Sequence, residues 1–371
     1  MYVVNLPLFR LSCRDGDDEA VPAARGDRTA PPGVSVLIPA RDEAEGITAC
    51  VRSVLASRDV RVEVVVWDDQ SQDETAQLVQ GIAAEDPRVR LLHGTALPAG
   101  WNGKQHACWR LSEHASQRWL GFLDADVRLH PQALSTMLRY AMRRDVALLS
   151  AFPRQQTGTI LEKLLIPMMH VVLLGYLPMP RMRRSRSPAY AAGCGQLFLT
   201  ERTAYQAMGT HRAIRSSRHD GIHLPSAYRK AGLSTDVIDG TSLATCRMYR
   251  GAREVVHGLL KNADEGIANA GRIVPFSVLL LGSGVLPWGL LIALAWKAPV
   301  VAYVDTSALW IGTLVAVVAG VLPRWINAWL FKQSWLGAAL HPVAVTLFIA
   351  LQWWALAMQL CGKRVQWRGR D

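Results

Sequence analysis

The apolar positions of this chain follow two patterns, and the change from one to the other divides it. Residues 34–38, 61–67, 89–93, 119–127 and 146–150 are short apolar runs. Residues 47–57, 75–84, 104–114 and 131–143 between them repeat at helical spacing. Strands alternating with helices predict an α/β domain with a parallel, doubly wound sheet. A small-residue strand approach at 191–199, a helix through Ala227 to Lys230 and a helix over 254–262 continue it, so the head spans residues 34–265.

From residue 273 the pattern changes, because charges become sparse and Trp, Leu, Val and Ala dominate. Residues 273–296, 300–322 and 336–360 are each long enough to cross a hydrocarbon core of about 30 Å. The polar intruders are Asp305 and His341, which predict a broken or closely packed segment. A membrane region of about three helices is expected over 273–360, followed by a basic tail, 361–371. With the head in the cytoplasm, three crossings place Lys363, Arg364, Arg368 and Arg370 outside, against the positive-inside tendency. Either the tail departs from that tendency or one segment is re-entrant.

Two stretches stand apart. Residues 1–33 show no period and read as a disordered arm, and Tyr2 to Phe9 is too short for a signal-peptide core. Residues 160–180 are apolar but carry Glu162, Lys163, Pro167 and His170, and Arg181, Arg183, Arg184 and Arg186 follow. A crossing there would separate segments that share one site. The reading is therefore a helix lying in the membrane interface with its arginines on anionic headgroups.

The net charge of +11 is compatible with nucleic acid, anionic lipid or a phosphorylated small molecule. The basic residues cluster beside the apolar stretches, with no basic, aromatic-lined face, which argues against nucleic acid. Cys13, Cys50, Cys108, Cys194, Cys246 and Cys361 have no paired spacing, so neither a zinc site nor a disulfide framework is expected, and a reducing, cytoplasmic setting is the simpler reading.

The chemistry-bearing residues gather where strands end. Asp124 and Asp126 close the run 119–127, where open α/β sheets place their ligands. Two adjacent carboxylates repel unless a cation lies between them, and a hard cation that also holds phosphates is the usual answer. Asp68 and Asp69 close the second strand. Lys104 follows a Gly-rich loop at the start of a helix, a combination suited to phosphate. Asp220 is a later, separate acid. A nucleotide-sugar transferase needs such a set: acceptors for base and ribose, a cation for the diphosphate, and a carboxylate for the acceptor's proton.

The segments Val34-Ser-Val-Leu-Ile-Pro-Ala-Arg-Asp-Glu43, Val64-Val-Val-Trp-Asp-Asp-Gln-Ser-Gln-Asp-Glu-Thr75, Trp101-Asn-Gly-Lys104, Phe122-Leu-Asp-Ala-Asp126 and Arg218-His-Asp220 resemble, in order, the family 2 glycosyltransferases with the GT-A fold. The resemblance covers about residues 34–262. It implies that Asp124 and Asp126 are the metal-binding DxD motif for a divalent cation, Mg2+ or Mn2+. It also implies that Asp68 and Asp69 grip the uridine end, that Pro39, Ala40, Arg41, Glu43, Lys104 and Asp124 bind the nucleotide, and that Asp220 is the catalytic base. The family usually has Glu before that base, where this chain has His219.

Arg247-Met-Tyr249, Lys261-Asn262, His341-Pro342 and Trp367-Arg-Gly-Arg370 look most like the membrane-bound carotenoid-acid (diaponeurosporenoate-type) and hopanoid-associated members. Many of those have an amino-terminal membrane helix that is missing here, so attachment is expected from the carboxyl side. Arg247-Met-Tyr-Arg250 is followed by Gly251, which only half matches the processive-synthase signature and points to transfer of a single sugar. The expectation is an inverting, metal-dependent transferase moving a sugar from a UDP-sugar to a lipid acceptor such as a carotenoid or other terpenoid. Its place would be the inner membrane, multi-pass, with the head facing the cytoplasm. A polyprenyl-phosphate sugar transferase and an inactive nucleotide-binding membrane scaffold are the alternatives.

Overall fold

An eight-stranded sheet frames the first of two units into which the chain divides, Met1–Arg154 with Leu177–Met248. The second unit is Gln155–Tyr176 with Tyr249–Asp371. The computed structural model describes residues 1–14, 31–296 and 306–362.

In chain order the first unit runs α1 (Tyr2–Arg14), β1 (Gly33–Ala40), α2 (Ile47–Leu55), β2 (Arg61–Asp68), α3 (Thr75–Glu85) and β3 (Val89–His93). It continues with α4 (Gly103–His114), β4 (Trp119–Leu123), β5 (Val127–Leu129), α5 (Ala133–Arg144) and β6 (Leu148–Gln155). The chain then forms α6 (Ile160–Leu165) and α7 (Met168–Tyr176) of the second unit. It returns with α8 (Met179–Arg184), β7 (Leu197–Glu201), α9 (Arg202–Ala207), α10 (Asp220–Lys230) and β8 (Thr235–Cys246).

The strand order is β3-β2-β1-β4-β7-β6-β8-β5. β1 lies parallel to both β2 and β4, and β2 to β3, which is the expected half of the sheet. The pairs β4–β7, β6–β7 and β5–β8 are antiparallel, so the sheet is mixed and the expectation of a wholly parallel one is corrected. Apolar runs report burial and not direction, and direction depends on the connection. The fully buried Val34, Leu37, Ile38, Val64, Val65 and Val66 explain why β1 and β2 sit inside the sheet with helices on both faces.

The arm expected over residues 1–33 is also corrected in part, since Tyr2–Arg14 is helical. A helix this short is marginal alone, and packing supplies what length does not. Phe9 is fully buried, edge-on to Phe152 at 5.8 Å. Asn5, also buried, donates to the Leu177 carbonyl at 2.5 Å and accepts from the Met179 N–H at 3.2 Å. Residues 15–30 of the arm lie outside the described residues.

The interfacial helix expected over 160–180 is instead three short helices, α6, α7 and α8, interrupted at Pro167 and Pro178. Proline lacks the N–H that a continuing helix needs. The second unit continues with α11 (Ala252–Asn262), α12 (Ile273–Gly284), α13 (Leu286–Ala295), α14 (Thr306–Leu330), α15 (Trp335–Ala339) and α16 (His341–Leu360).

Ser307–Leu330 and His341–Leu360 are long and apolar enough to cross a membrane, and α12 with α13, bent by 41°, forms a third span if the pair is one segment. The middle span therefore extends past the expected 322, through Pro323 and Arg324. Arg324 is buried and donates to Gln333 Oε1 at 2.5 Å, and Gln333 Nε2 meets His170 Nδ1 at 3.2 Å, so a polar chain accommodates the charge. Residues 297–305, with Asp305, and the tail residues 363–371 lie outside the described residues.

Gly240 on β8 offers a direct test of the packing of β8 beside β6. A Cβ there would lie 2.8–3.1 Å from backbone atoms of Phe152 on β6. Gly240→Ala is expected to cost about 1–3 kcal/mol, read as a lowered thermal midpoint in detergent. Gly81→Ala on α3, where a Cβ meets nothing within 4 Å, should leave the midpoint unchanged or slightly raised.

Candidate functional site

The carboxyl ends of β1 and β2 are tied to each other by their own loops. Asp42 N–H donates to Ser71 Oγ at 3.0 Å and Gln72 N–H returns to Asp42 Oδ1 at 2.8 Å. Glu43 N–H donates to Thr75 Oγ1 at 2.8 Å, and Ala44 N–H to Asp73 Oδ2 at 3.0 Å. Asp42 and Gln70 take positive φ, at 53° and 59°, in these loops. Left-handed backbone is tolerated by such residues when neighbours fix it.

This clasp positions the expected nucleotide-binding residues. Pro39 and Ala40 are β1 residues paired with Trp67 and Asp68, and the Asp69 N–H donates to the Ala40 carbonyl at 2.8 Å. Asp68 and Asp69 are buried. Arg41 Nη1 stands 3.5 Å from Asp69 Oδ2, and His93 Nδ1 stands 3.9 Å from Asp68 Oδ2. Gly94 fits tightly here, since a Cβ would lie 2.9 Å from the Asp68 carbonyl oxygen.

Helix α4 carries the next group. Asn102 caps it, accepting from the Lys104 N–H at 3.1 Å, and its own N–H is tethered to the Arg215 carbonyl at 2.7 Å. The Asn102 side chain satisfies one of the free N–H groups at the helix start. A Cβ at Gly103 would lie 3.2 Å from Asp69 Oδ2, so the first turn of α4 touches the Asp69 end of the site. Trp101 stacks on Trp109 at 5.1 Å, with the Arg212 guanidinium 5.4 Å from the Trp109 ring, which braces the loop.

Lys104 connects this end with the other carboxylates. Its Nζ is 2.6 Å from Asp124 Oδ1 and 2.8 Å from Asp220 Oδ2, and it donates to the Gly195 carbonyl at 3.3 Å. Asp220 opens α10, where the helix amino terminus favours its charge, and it accepts from the Gly221 N–H at 2.8 Å. Gly195 must be glycine, because a Cβ would overlap the Asp220 carboxylate.

The electrostatics follow from crowding. Burial works against the charged form of Lys104, but Asp124 and Asp220 outweigh it and hold the ammonium well above its ordinary range. Burial also works against Asp220, yet Lys104, His219 and His211 hold its carboxyl below the usual value. Burial pushes Asp124 up to about 7, with Asp126 and Asp220 adding to the rise and Lys104 opposing it. Burial likewise raises Asp126, against a hydrogen bond from Cys246 and the charges of Lys104 and Arg128.

Asp124 and Asp126 lie between β4 and β5, and Asp126 Oδ1 is buried without a hydrogen-bond partner. An orphaned carboxylate oxygen beside a second carboxylate fits a hard cation. No cluster of three or more His, Cys, Asp or Glu residues suited to a metal occurs among the described residues. Such a cation would therefore take further oxygens from phosphate and water, as magnesium-type sites do.

Of the residues expected from sequence, Lys104, Asp124 and Asp220 are brought into direct contact, with Asp126 beside Asp124. Asp68, Asp69 and Arg41 form a neighbouring group joined to them through Gly103. Glu43 contributes its backbone to the clasp. Five residues escaped sequence reading: Gly195, which offers its carbonyl, the clasp residues Ser71, Asp73 and Thr75, and Cys246. The glycines near Gly195 signalled close backbone approach without saying to what.

The family described as Glycosyl transferase family 2 matches residues 35–209. A 4,4'-diaponeurosporenoate glycosyltransferase of Staphylococcus aureus strain USA300 is 28% identical over 269 residues, 71% of this chain and 70% of that protein. The protein of the same name from the bovine strain RF122 / ET3-1 is 27% identical over the same shares. Among solved structures, a mannosyltransferase from Pyrobaculum calidifontis in complex with GDP-Man and Mn2+ superposes with a TM-score of 0.53 at 18% identity, over 98% of this chain and 96% of that one. The fold is accordingly GT-A.

Lys104→Met would leave Asp124 and Asp220 without their shared ammonium. Both carboxyls would then titrate higher in the native state than in the unfolded chain, so the native state binds more protons and the variant loses stability as pH rises. Thermal midpoints between about pH 5 and 8 should show a deficit against the parent that widens with pH. A deficit of constant size would contradict the clamp.

Proposed function

The chain belongs to the family 2 glycosyltransferases, and on that premise we propose that it moves a single sugar, with inversion, from a UDP-sugar to a terpenoid lipid such as a carotenoid acid. The observation that carries the proposal is the one ammonium, Lys104, in contact with both Asp124 and Asp220. A donor's diphosphate and an acceptor's oxygen need carboxylates of different duty, and they need them close together.

In this reading Asp68 and Asp69 accept from the base and ribose, with Arg41 steadying Asp69 and the backbone of Pro39, Ala40 and Glu43 shaping the floor. Asp126 and Asp124 hold a divalent cation, Mg2+ or Mn2+, which when bound neutralises charge on the departing nucleoside diphosphate. Lys104 adds a positive charge from the helix start on the same side. Asp220 faces the acceptor and takes its proton where the acceptor carries one, the acceptor oxygen bonds to the anomeric carbon, and the bond from that carbon to the diphosphate oxygen breaks.

A carboxyl held below its usual range is a weak base for an alcohol. An acceptor that is itself a carboxylic acid is already ionised near neutral pH and needs Asp220 for orientation more than for deprotonation. That favours an acid acceptor, in keeping with the name of the Staphylococcus aureus relatives. The spans Ser307–Leu330 and His341–Leu360 support membrane association, and we place the enzyme in the inner membrane, multi-pass, with its head in the cytoplasm.

Membranes containing Asp124→Asn or Asp220→Asn chains should transfer label from UDP-sugar at least about 100-fold more slowly than the parent. Unchanged turnover in both would contradict an enzyme. Mass analysis of lipids from cells with and without the chain separates acceptors: a glycosylated terpenoid is expected, and a polyprenyl-phosphate sugar would overturn that choice.

The raised carboxyl of Asp124 adds a pH signature. A proton competes with the cation for this group, so Mn2+ affinity should weaken as pH falls through about 7 and stay level above it. Affinity independent of pH from about 5 to 8 would contradict Asp124 as a ligand.

A further inference from the structure

Helix α1 is docked on the first unit in the reverse sense of a helix that faces water. Asn5 and Phe9 point inward and are fully buried. Leu177 and Met179, at the approach to α8, hold the Asn5 side chain, Phe9 lies against Phe152, and Arg10 Nε stands 3.7 Å from Asp239 Oδ2. On the opposite arc, at helical spacing, Met1, Val3, Val4 and Pro7 are exposed, Val3 by 82%. A soluble amphipathic helix would turn its valines in and its asparagine out.

The element packed against this helix is basic. Arg183 joins α8 to α1, its Nη2 donating to the Leu8 carbonyl at 3.1 Å while its Nε stands 3.0 Å from Asp236 Oδ2. Arg229 secures the other end of α8, donating to the Ser185 carbonyl at 2.9 Å and to the Met182 carbonyl at 3.0 Å. The acids that meet α1 and α8, Asp239 and Asp236, are buried and already engaged by Arg10 and Arg183. Arg181, Arg184 and Arg186 are exposed and make no ion pair among the described residues. Three positive charges are left for an outside partner.

An exposed apolar arc with free arginines on the adjoining helix is complementary to the boundary between anionic headgroups and acyl chains. The same chain carries Ser307–Leu330 and His341–Leu360, which are long and apolar enough to bring it to a bilayer. We infer that α1 and α8 dock the catalytic head on an anionic bilayer surface, the arc of Val3 and Val4 entering the headgroup–acyl boundary and Arg181, Arg184 and Arg186 meeting lipid phosphates. Each basic residue near such a surface strengthens docking about fivefold. The inference goes beyond the proposed reaction, since it adds a membrane contact on the head itself and requires no particular acceptor.

The test places a fluorophore on Val3→Cys in the full chain carrying Cys13→Ser and Cys361→Ser, reconstituted in discs of phosphatidylglycerol and of phosphatidylcholine brominated near the top of its acyl chains. Reference labels sit on Val318→Cys, exposed within Ser307–Leu330, and on Gln80→Cys, exposed on α3. The label at position 3 should lose about half or more of its fluorescence to the bromines, as the label at 318 does and the label at 80 does not. Quenching at 318 with none at 3 overturns the inference and leaves the spans standing. Arg181→Gln, Arg184→Gln and Arg186→Gln together should cut the quenching at position 3 at least about twofold, and undiminished quenching overturns the part given to the arginines. An unquenched label, with Val3→Cys chains forming disulfide-linked pairs, assigns the arc to a second copy and overturns the inference.

Discussion

The ion pairs from Lys104 to Asp124 and to Asp220 are the contacts on which the rest of the site depends. Three acids, Asp124, Asp126 and Asp220, are gathered with a single ammonium among them, and carboxylates so placed cannot all remain ionised without it. The position of Lys104 is in turn set by the start of α4, where the Asn102 cap and its tether to Arg215 fix the first turn. Two glycines let neighbours press close to this centre. Gly195 yields to the Asp220 carboxylate, and Gly221 lies against the Gly193 carbonyl.

A second constraint acts on the sheet. β1, β2 and β4 run parallel, so Ala40, Asp68 and Asp124 emerge at one edge. The loops after β1 and β2 are clasped by reciprocal hydrogen bonds from Asp42, Gln72, Glu43 and Ala44, which keeps Asp68 and Asp69 in place without a ligand. Preformed geometry of this kind reduces the ordering cost of binding. The other half of the sheet serves the same edge differently: β7 is approached through Cys194, Gly195 and Gln196, and β8 ends at Cys246, opposite Val127.

Much of this was legible in the sequence because the relevant signal is local. An apolar run followed by acids marks a strand end, and that identified Asp68, Asp69, Asp124 and Asp126. A glycine-rich loop before a helix identified Lys104. Strand direction was not legible, because the apolar run Leu197, Phe198 and Leu199 reads the same whichever way it runs. Nor was α1, whose stability comes from Asn5 and Phe9 docking on residues far away in sequence. Cys246 has no local signal at all, since its meaning lies in the register that sets it opposite Val127. The arginine within the middle span, Arg324, is accommodated by Gln333, which folds against it from beyond the helix end.

The association of donor-side and acceptor-side acids through one lysine is tested most directly by diffraction at the manganese edge from crystals of the full chain grown with UDP and Mn2+. A single anomalous peak bound by the carboxylates of Asp126 and Asp124, with Lys104 and Asp220 still in contact, is the expected result. UDP seated in the head with no peak at Asp126, or with Lys104 withdrawn from both acids, would contradict it.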